Sequence, residues 1–296
     1  MNSTWSKIQI WKLAARPKTL PAAIAPVIVG TAVAWASGRI NGLATLAALS
    51  AALLLQIGAN LANDYFDYFK GADAGERHGP LRVTQAGLVT PAEMRLAMLG
   101  VFGFTALIGV YLAWVGGWPV IAIGLASILA ALAYTGGPFP FGYYGLGDLF
   151  AFLFFGPVAV CGTAYILGGK VVPLAVGASI PIGLLVAAIL VVNNLRDLES
   201  DQRVNKMTLA VRLGERGTRW EYVLLLSAAY LTVAVLVLVG VSSPWVLLSW
   251  GSLALVPGLL RTVFTQKGRP LNLALAGTGR LALAYGVLLG LGILIG

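Results

Sequence analysis

Residues 56–73 read Gln56-Ile-Gly-Ala-Asn60-Leu-Ala-Asn63-Asp64-Tyr-Phe-Asp67-Tyr-Phe-Lys70-Gly71-Ala-Asp73, and they overlap the end of an apolar run that begins at Leu43. The run Leu43–Ala62 has about the 20 residues that one bilayer crossing requires. Its end carries an amide and two carboxylates at helical spacing. At 100° per residue Asn60, Asp64 and Asp67 fall within about 60° of one another, so one helix stripe presents all three. An apolar span that finishes in such a stripe predicts a membrane helix delivering polar groups to one surface, where ionisable residues are costly and mark function.

The rest of the chain fits that reading. Of 296 residues 58% are hydrophobic and 10% charged, against about 25% charged in an average soluble domain, which excludes a soluble globular enzyme. Apolar runs recur at Leu20–Ser37, Leu43–Ala62, Leu96–Val115, Pro119–Tyr134, Leu149–Leu167, Val172–Leu195, Tyr222–Val241, Pro244–Phe264 and Leu271–Ile295. They predict about nine spans in one all-α membrane domain covering residues 1–296. Ala34-Trp35-Ala36 mimics a signal-peptide cleavage site, but Pro21 and Pro26 interrupt the first run where such a segment would be continuous. The frequent glycines and prolines suit close helix approach and tolerated kinks within spans. Cys161 is the only cysteine and His78 the only histidine, which excludes an intrachain disulfide, a zinc cluster and a histidine metal site.

The cations set an expected orientation. With the N-terminus in the cytoplasm, Lys7 to Lys18, Lys70 to Arg95, Arg196 to Arg219 and Arg261 to Arg269 fall inside, Arg39 and Lys170 fall outside, and Arg280 lies within the last span. The net charge of +9 then reflects topology and contact with anionic lipid, not nucleic acid. Every Asp and Glu also falls on the cytoplasmic side, although acids contribute little to topology. One face of the membrane is expected to carry the chemistry.

The sixth run ends Asn193-Asn194-Leu-Arg196-Asp197-Leu-Glu199-Ser-Asp201, which puts Asn193, Asp197 and Asp201 on a second stripe at i, i+4, i+8. Two helices running the same way thus deliver the same amide and carboxylates to the same depth. Carboxylates gathered at helix C-termini repel each other and the dipole, so a cation is expected between them. An oxygen-only set points to magnesium with substrate phosphates, held by Asp64, Asp67, Asp197 and Asp201. Lys70, Arg77 and Arg82 beside the first stripe, and Arg196, Lys206 and Arg212 around the second, suit the remaining phosphate charge. The plainer alternative is solvated helix ends paired with arginines, which two matched stripes disfavour. Among lesser candidates, the Gly- and aromatic-rich segment from Tyr134 to Asp148 is either a lid or a tight interfacial turn. Asp148 reads as an acid at a helix N-terminus, Arg16-Pro17-Lys18-Thr19-Leu20 as a snorkelling anchor, and Trp5, Trp11, Trp118, Trp245 and Trp250 as interfacial belts.

On these motifs the chain resembles the UbiA-type intramembrane prenyltransferases, in the branch acting on 1,4-dihydroxy-2-naphthoate. The resemblance runs from Arg16-Pro-Lys-Thr-Leu through Asn60-Leu-Ala-Asn-Asp64-Tyr-Phe-Asp67 and the Tyr134 to Asp148 loop to Asn193-Asn-Leu-Arg-Asp197, Asp201 and Lys206-Met-Thr208. It implies nine helices around a cavity open sideways to lipid, with Mg2+ on the paired Asp motifs. It further implies transfer of a polyprenyl group from polyprenyl diphosphate to the naphthoate with decarboxylation. Asp64, Asp67, Asp197, Asp201, Asn60, Asn193 and Lys206 would be catalytic. Asn63, Asn194, Arg77, Arg82, Tyr134 and Asp148 would bind or orient. Tyr65, Phe66 and Tyr134 would shield the allylic cation. Two departures accompany the match. Gly71 stands where the wider superfamily has a third Asp, and Pro138 where it often has a lysine, so Lys206, Arg77 or Arg82 would take over that lysine's grip. Rival readings are another aromatic acceptor, 4-hydroxybenzoate or homogentisate, and a secondary transporter, which would put its ion site near the midplane.

Overall fold

A computed structural model describes residues 5–71 and 78–296, and these are helical throughout apart from their connections. The helices are α1 (Lys7–Ala15), α2 (Pro21–Ala36), α3 (Gly42–Phe69), α4 (Pro91–Gly116), α5 (Trp118–Ala133), α6 (Gly147–Gly168), α7 (Pro173–Arg196), α8 (Leu198–Arg203), α9 (Leu209–Leu238), α10 (Pro244–Thr265) and α11 (Leu271–Ile295). Each apolar run of the sequence becomes helical. Among the described residues seven helices are long and apolar enough to cross a membrane, and an eighth crossing is counted if α1 and α2, bent by 52° at the turn between them, form one span. Helix α5 is apolar but has only 16 residues, short of the usual crossing length.

Local signals account for the helix ends. Ser6 and Thr90 each close a capping box with the residue three places on, and the side chain of Asn41 accepts from the Ala44 N–H at the start of α3. Pro91, Trp118-Pro119 and Pro173 place proline in a first turn, where its missing N–H costs nothing. Pro157 lies inside α6, and residues Phe154–Cys161 there widen into a π-helix. Proline removes one rung of the hydrogen-bond ladder, and the wider turn absorbs the break.

Helix α7 is the centre of the bundle. In its most apolar stretch 78% of residues are buried, against 22% in α3 and in α4, and it packs on α2, α6, α9 and α11. Its small residues permit that. A Cβ on Gly156 of α6 would stand 2.9 Å from the Gly183 Cα and 2.7 Å from the Ser179 carbonyl, so these two backbones touch only because both crossing residues lack side chains. Helices α2 to α7 surround a cavity of about 1360 Å³. At one end of it the C-termini of α3 and α7 meet the connections that contain residues 78–90, 134–146 and 204–208.

Candidate active site

The first stripe forms on α3 as expected, and its members have separate tasks. The Asn60 Nδ2 donates to the Ala15 carbonyl at 3.0 Å and to Thr19 Oγ1 at 3.1 Å, and the Gln56 amide donates to the same hydroxyl. These bonds tie the Arg16–Thr19 turn onto α3. Arg16 has φ +51°, a left-handed conformation rare outside glycine, and Arg16, Pro17, Lys18 and Thr19 line the cavity. The expected snorkelling anchor is therefore part of the cavity wall. A snorkelling cation would only have to reach the headgroups; here the α3 amides fold the segment inward.

Asp64 is buried, and its carboxylate accepts from the Val83 N–H at 3.3 Å and the Thr84 N–H at 3.2 Å. Asp67, also buried, accepts from Arg82 Nη2 at 3.0 Å and from the Tyr143 hydroxyl at 2.8 Å. The Asn63 Oδ1 accepts from the Thr135 hydroxyl. Lys70 reaches the Thr135 carbonyl and lies over the Tyr143 ring, 4.2 Å from its centroid, while Lys206 approaches that ring at 5.4 Å. Partial burial, reinforced by the charge of Lys206, holds the Lys70 ammonium below the ordinary lysine range, against the opposing pull of Asp67.

The second stripe departs from its expected geometry. Helix α7 ends at Arg196, Asp197 takes the cap, and α8 begins at Leu198, so Asn193, Asp197 and Asp201 do not share one continuous helix. A bond from the Asp201 N–H to the Asp197 carbonyl carries the chain across the joint. Arg196 dominates the region. It is buried, its Nε and Nη2 grip the Asp197 carboxylate, and its Nη2 also donates to Asn193 Oδ1 at 2.9 Å. Lys206 Nζ lies 3.5 Å from Asp201 Oδ1.

The cavity meets only part of the expected set. Asn60, Asn63, Asp67, Arg82, Tyr134, Asn193 and Lys206 line it, with Arg196, whereas Asp64, Asn194, Asp148, Asp197 and Asp201 do not. Arg77, with Asp73 and Glu76, lies outside the described residues. Among the described residues no three Asp, Glu, His or Cys side chains converge as a metal cluster. The donor set nevertheless suits a hard divalent cation: four buried carboxylates, each engaged by an arginine, a lysine or backbone N–H groups that a metal diphosphate could replace.

Sequence reasoning missed Tyr143, which joins Asp67, Lys70 and Lys206, because nothing local distinguishes it from its neighbours in an aromatic segment. It also misplaced the aromatic wall. Tyr65 and Phe66 do not line the cavity. Tyr65 packs edge-on against Phe66 and Phe69 instead. The wall is made by Phe141, Phe150 and Phe154, the first two stacked 4.0 Å apart, beside Tyr134.

An apolar chamber with Asp67, Arg82, Arg196 and Lys206 at one end, within a bundle of helices long enough to cross a membrane, defines the class as an intramembrane enzyme. Residues 23–275 match the UbiA prenyltransferase family, and the chain belongs to it. It is 40% identical to 1,4-dihydroxy-2-naphthoate octaprenyltransferase of Escherichia coli, across 86% of this chain and 84% of that protein. It is 44% identical to the protein of the same name in Mycobacterium tuberculosis, across 79% of each. The fold matches a UbiA homolog from Archaeoglobus fulgidus bound to GPP and Mg2+, with TM-score 0.67 and 15% identity over 97% of this chain and 100% of that one.

Proposed function

We propose that this chain transfers a polyprenyl group from an allylic polyprenyl diphosphate to 1,4-dihydroxy-2-naphthoate, releasing CO2 and diphosphate and giving demethylmenaquinol, the reduced form of demethylmenaquinone. The observation that carries the reading is the polarity of the cavity. Its body is lined by apolar side chains of α2 to α6, and its end by Asp67, Arg82, Asn193, Arg196 and Lys206. A prenyl diphosphate has that polarity. The names of the relatives supply the acceptor. Val110, Trp114, Ile121 and Leu125 line the cavity and are also exposed, which supports a sideways opening to lipid between α4 and α5 through which the chain enters. The acids sit at helix ends, away from the midplane position a transporter would use. The cation pattern supports nine crossings, with the N-terminus and the charged end in the cytoplasm and the enzyme in the plasma membrane.

Arg82, Arg196 and Lys206, which line the charged end of the cavity, would bind diphosphate oxygens, and preorganised charge near the breaking bond is where most of the rate is gained. Asp64, Asp67, Asp197 and Asp201 would hold Mg2+, which supplies charge stabilisation of the departing diphosphate. Asn60, Asn63 and Asn193 fix the helices and connections that carry these groups. As the allylic C–O bond breaks, the faces of Phe141, Phe150, Phe154 and Tyr134 stabilise the carbocation and exclude water. The acceptor ring then forms the new C–C bond and loses its carboxylate as CO2, so the net products are prenylated naphthoquinol, CO2 and diphosphate. Purified protein given acceptor labelled at the carboxyl carbon tests this. Label leaves as CO2 in step with prenylated product; prenylation of 4-hydroxybenzoate with the naphthoate ignored overturns the acceptor.

A further inference from the structure

The two Asp stripes are joined at the charged end of the cavity by a residue outside both. Asn272, in the first turn of α11, accepts from Arg196 Nη1 at 2.9 Å through its Oδ1. Through its Nδ2 it donates to the His78 carbonyl at 2.8 Å and to the Arg269 carbonyl at 2.9 Å. Arg196 is the side chain that grips Asp197 and Asn193. His78 begins the segment that carries Arg82 to Asp67 and the Val83 and Thr84 N–H groups to Asp64. Gly79 of that segment lies directly on the guanidinium, since a Cβ there would stand 2.8 Å from Arg196 Nη2. One amide therefore holds the arginine of the second stripe and the covering segment of the first.

We infer that Asn272 is a positioning residue that latches residues 78–84 over the diphosphate end of the cavity and orients Arg196. The physical reason is that a guanidinium has five donors in a fixed plane. Its Nε–Nη2 edge is used on Asp197 and Nη2 also on Asn193, which leaves Nη1 to be held by a further acceptor. The Asn272 Oδ1 is that acceptor, and its Nδ2 transmits the same constraint to the loop. Loss of the amide frees both at once, so the cost falls on diphosphate binding more than on the chemical step. This last point rests on the proposed prenyl transfer; the latch itself does not.

The experiment uses the full-length protein carrying Cys161→Ala and Val83→Cys. Val83, within the latched segment, is fully buried against Leu61, Ala62 and Met94, so the rate of maleimide labelling at position 83 reads the opening of that segment without turnover. Asn272→Ala is expected to raise that rate about fivefold or more, the equivalent of roughly one lost hydrogen bond. Gly79→Ala, which pushes the loop off Arg196 from the other side, is expected to do the same. Asn272→Asp keeps the acceptor for Arg196 and loses the donor to His78, so it opens the loop while raising KM for prenyl diphosphate less than Asn272→Ala does, with kcat little changed in both. Unchanged labelling in Asn272→Ala and Gly79→Ala overturns the latch, whatever the acceptor proves to be. Equal losses in kcat without a change in KM overturn the positioning role. If labelling responds as expected but no naphthoate is prenylated, the latch stands and the acceptor assignment fails.

Discussion

Removing the hydroxyl of Tyr143 isolates one contact to one carboxylate. Tyr143→Phe deletes the 2.8 Å donor to Asp67 Oδ1 and keeps the ring beneath Lys70 and Lys206. A hydrogen bond to a charged group is worth about 1.5–3 kcal/mol, and partners that orient a metal-binding carboxylate typically cost about 10–100-fold in metal affinity when lost. The half-saturating Mg2+ concentration is therefore expected to rise about 10–100-fold, with kcat recovering toward the parent value at saturating metal. Tyr143→Leu removes the ring as well. The contacts of Lys70 at 4.2 Å and Lys206 at 5.4 Å from its centroid are worth about 0.5–1 kcal/mol each where exposed and more where desolvated. Their loss should raise KM for the prenyl diphosphate a further fivefold or so at 1 kcal/mol. The assay is initial-rate prenylation by purified protein, titrated separately with Mg2+ and with prenyl diphosphate. A Tyr143→Phe enzyme with the parent Mg2+ dependence refutes the idea that this hydroxyl orients Asp67 toward a metal.

Asp67→Ala, Asp197→Ala and Asp201→Ala are each expected to lower turnover more than tenfold, over 1.4 kcal/mol, while still inserting in membranes; turnover and membrane-fraction blots check both. Asp64→Ala should also lower the thermal midpoint in detergent, because the Val83 and Thr84 N–H groups lose their acceptor at about 1–3 kcal/mol apiece; an unshifted midpoint would contradict its anchoring role. Gly183→Val forces the α6 and α7 backbones apart and is expected to cost about 1–3 kcal/mol of stability, read in the same melt. Single cysteines placed in a Cys161→Ala background test orientation: positions in 204–217 and 135–147 should label only from the cytoplasmic side and positions 39 and 170 only from the other, and external labelling in 204–217 reverses the proposed topology.

The sequence by itself determined the membrane class, the helical runs and the first acid stripe, because hydrophobicity and i, i+4 spacing are properties of short contiguous segments. It also identified Arg82 and Lys206 as cations near those acids. What tertiary structure decided is which groups those residues meet. The stripe from Asn193 to Asp201 breaks at Asp197, whose carboxylate is gripped by the neighbouring Arg196. The Arg16–Thr19 segment folds into the cavity wall, because amides on α3, some 40 residues later in the chain, donate to its oxygens. Tyr143 and Asn272 acquire their places only when connections distant in sequence converge on one end of the bundle. A carboxylate or guanidinium has several partners within reach in a folded chain, and the choice among them is made by where the packed backbones hold each donor and acceptor, information that no local spacing contains.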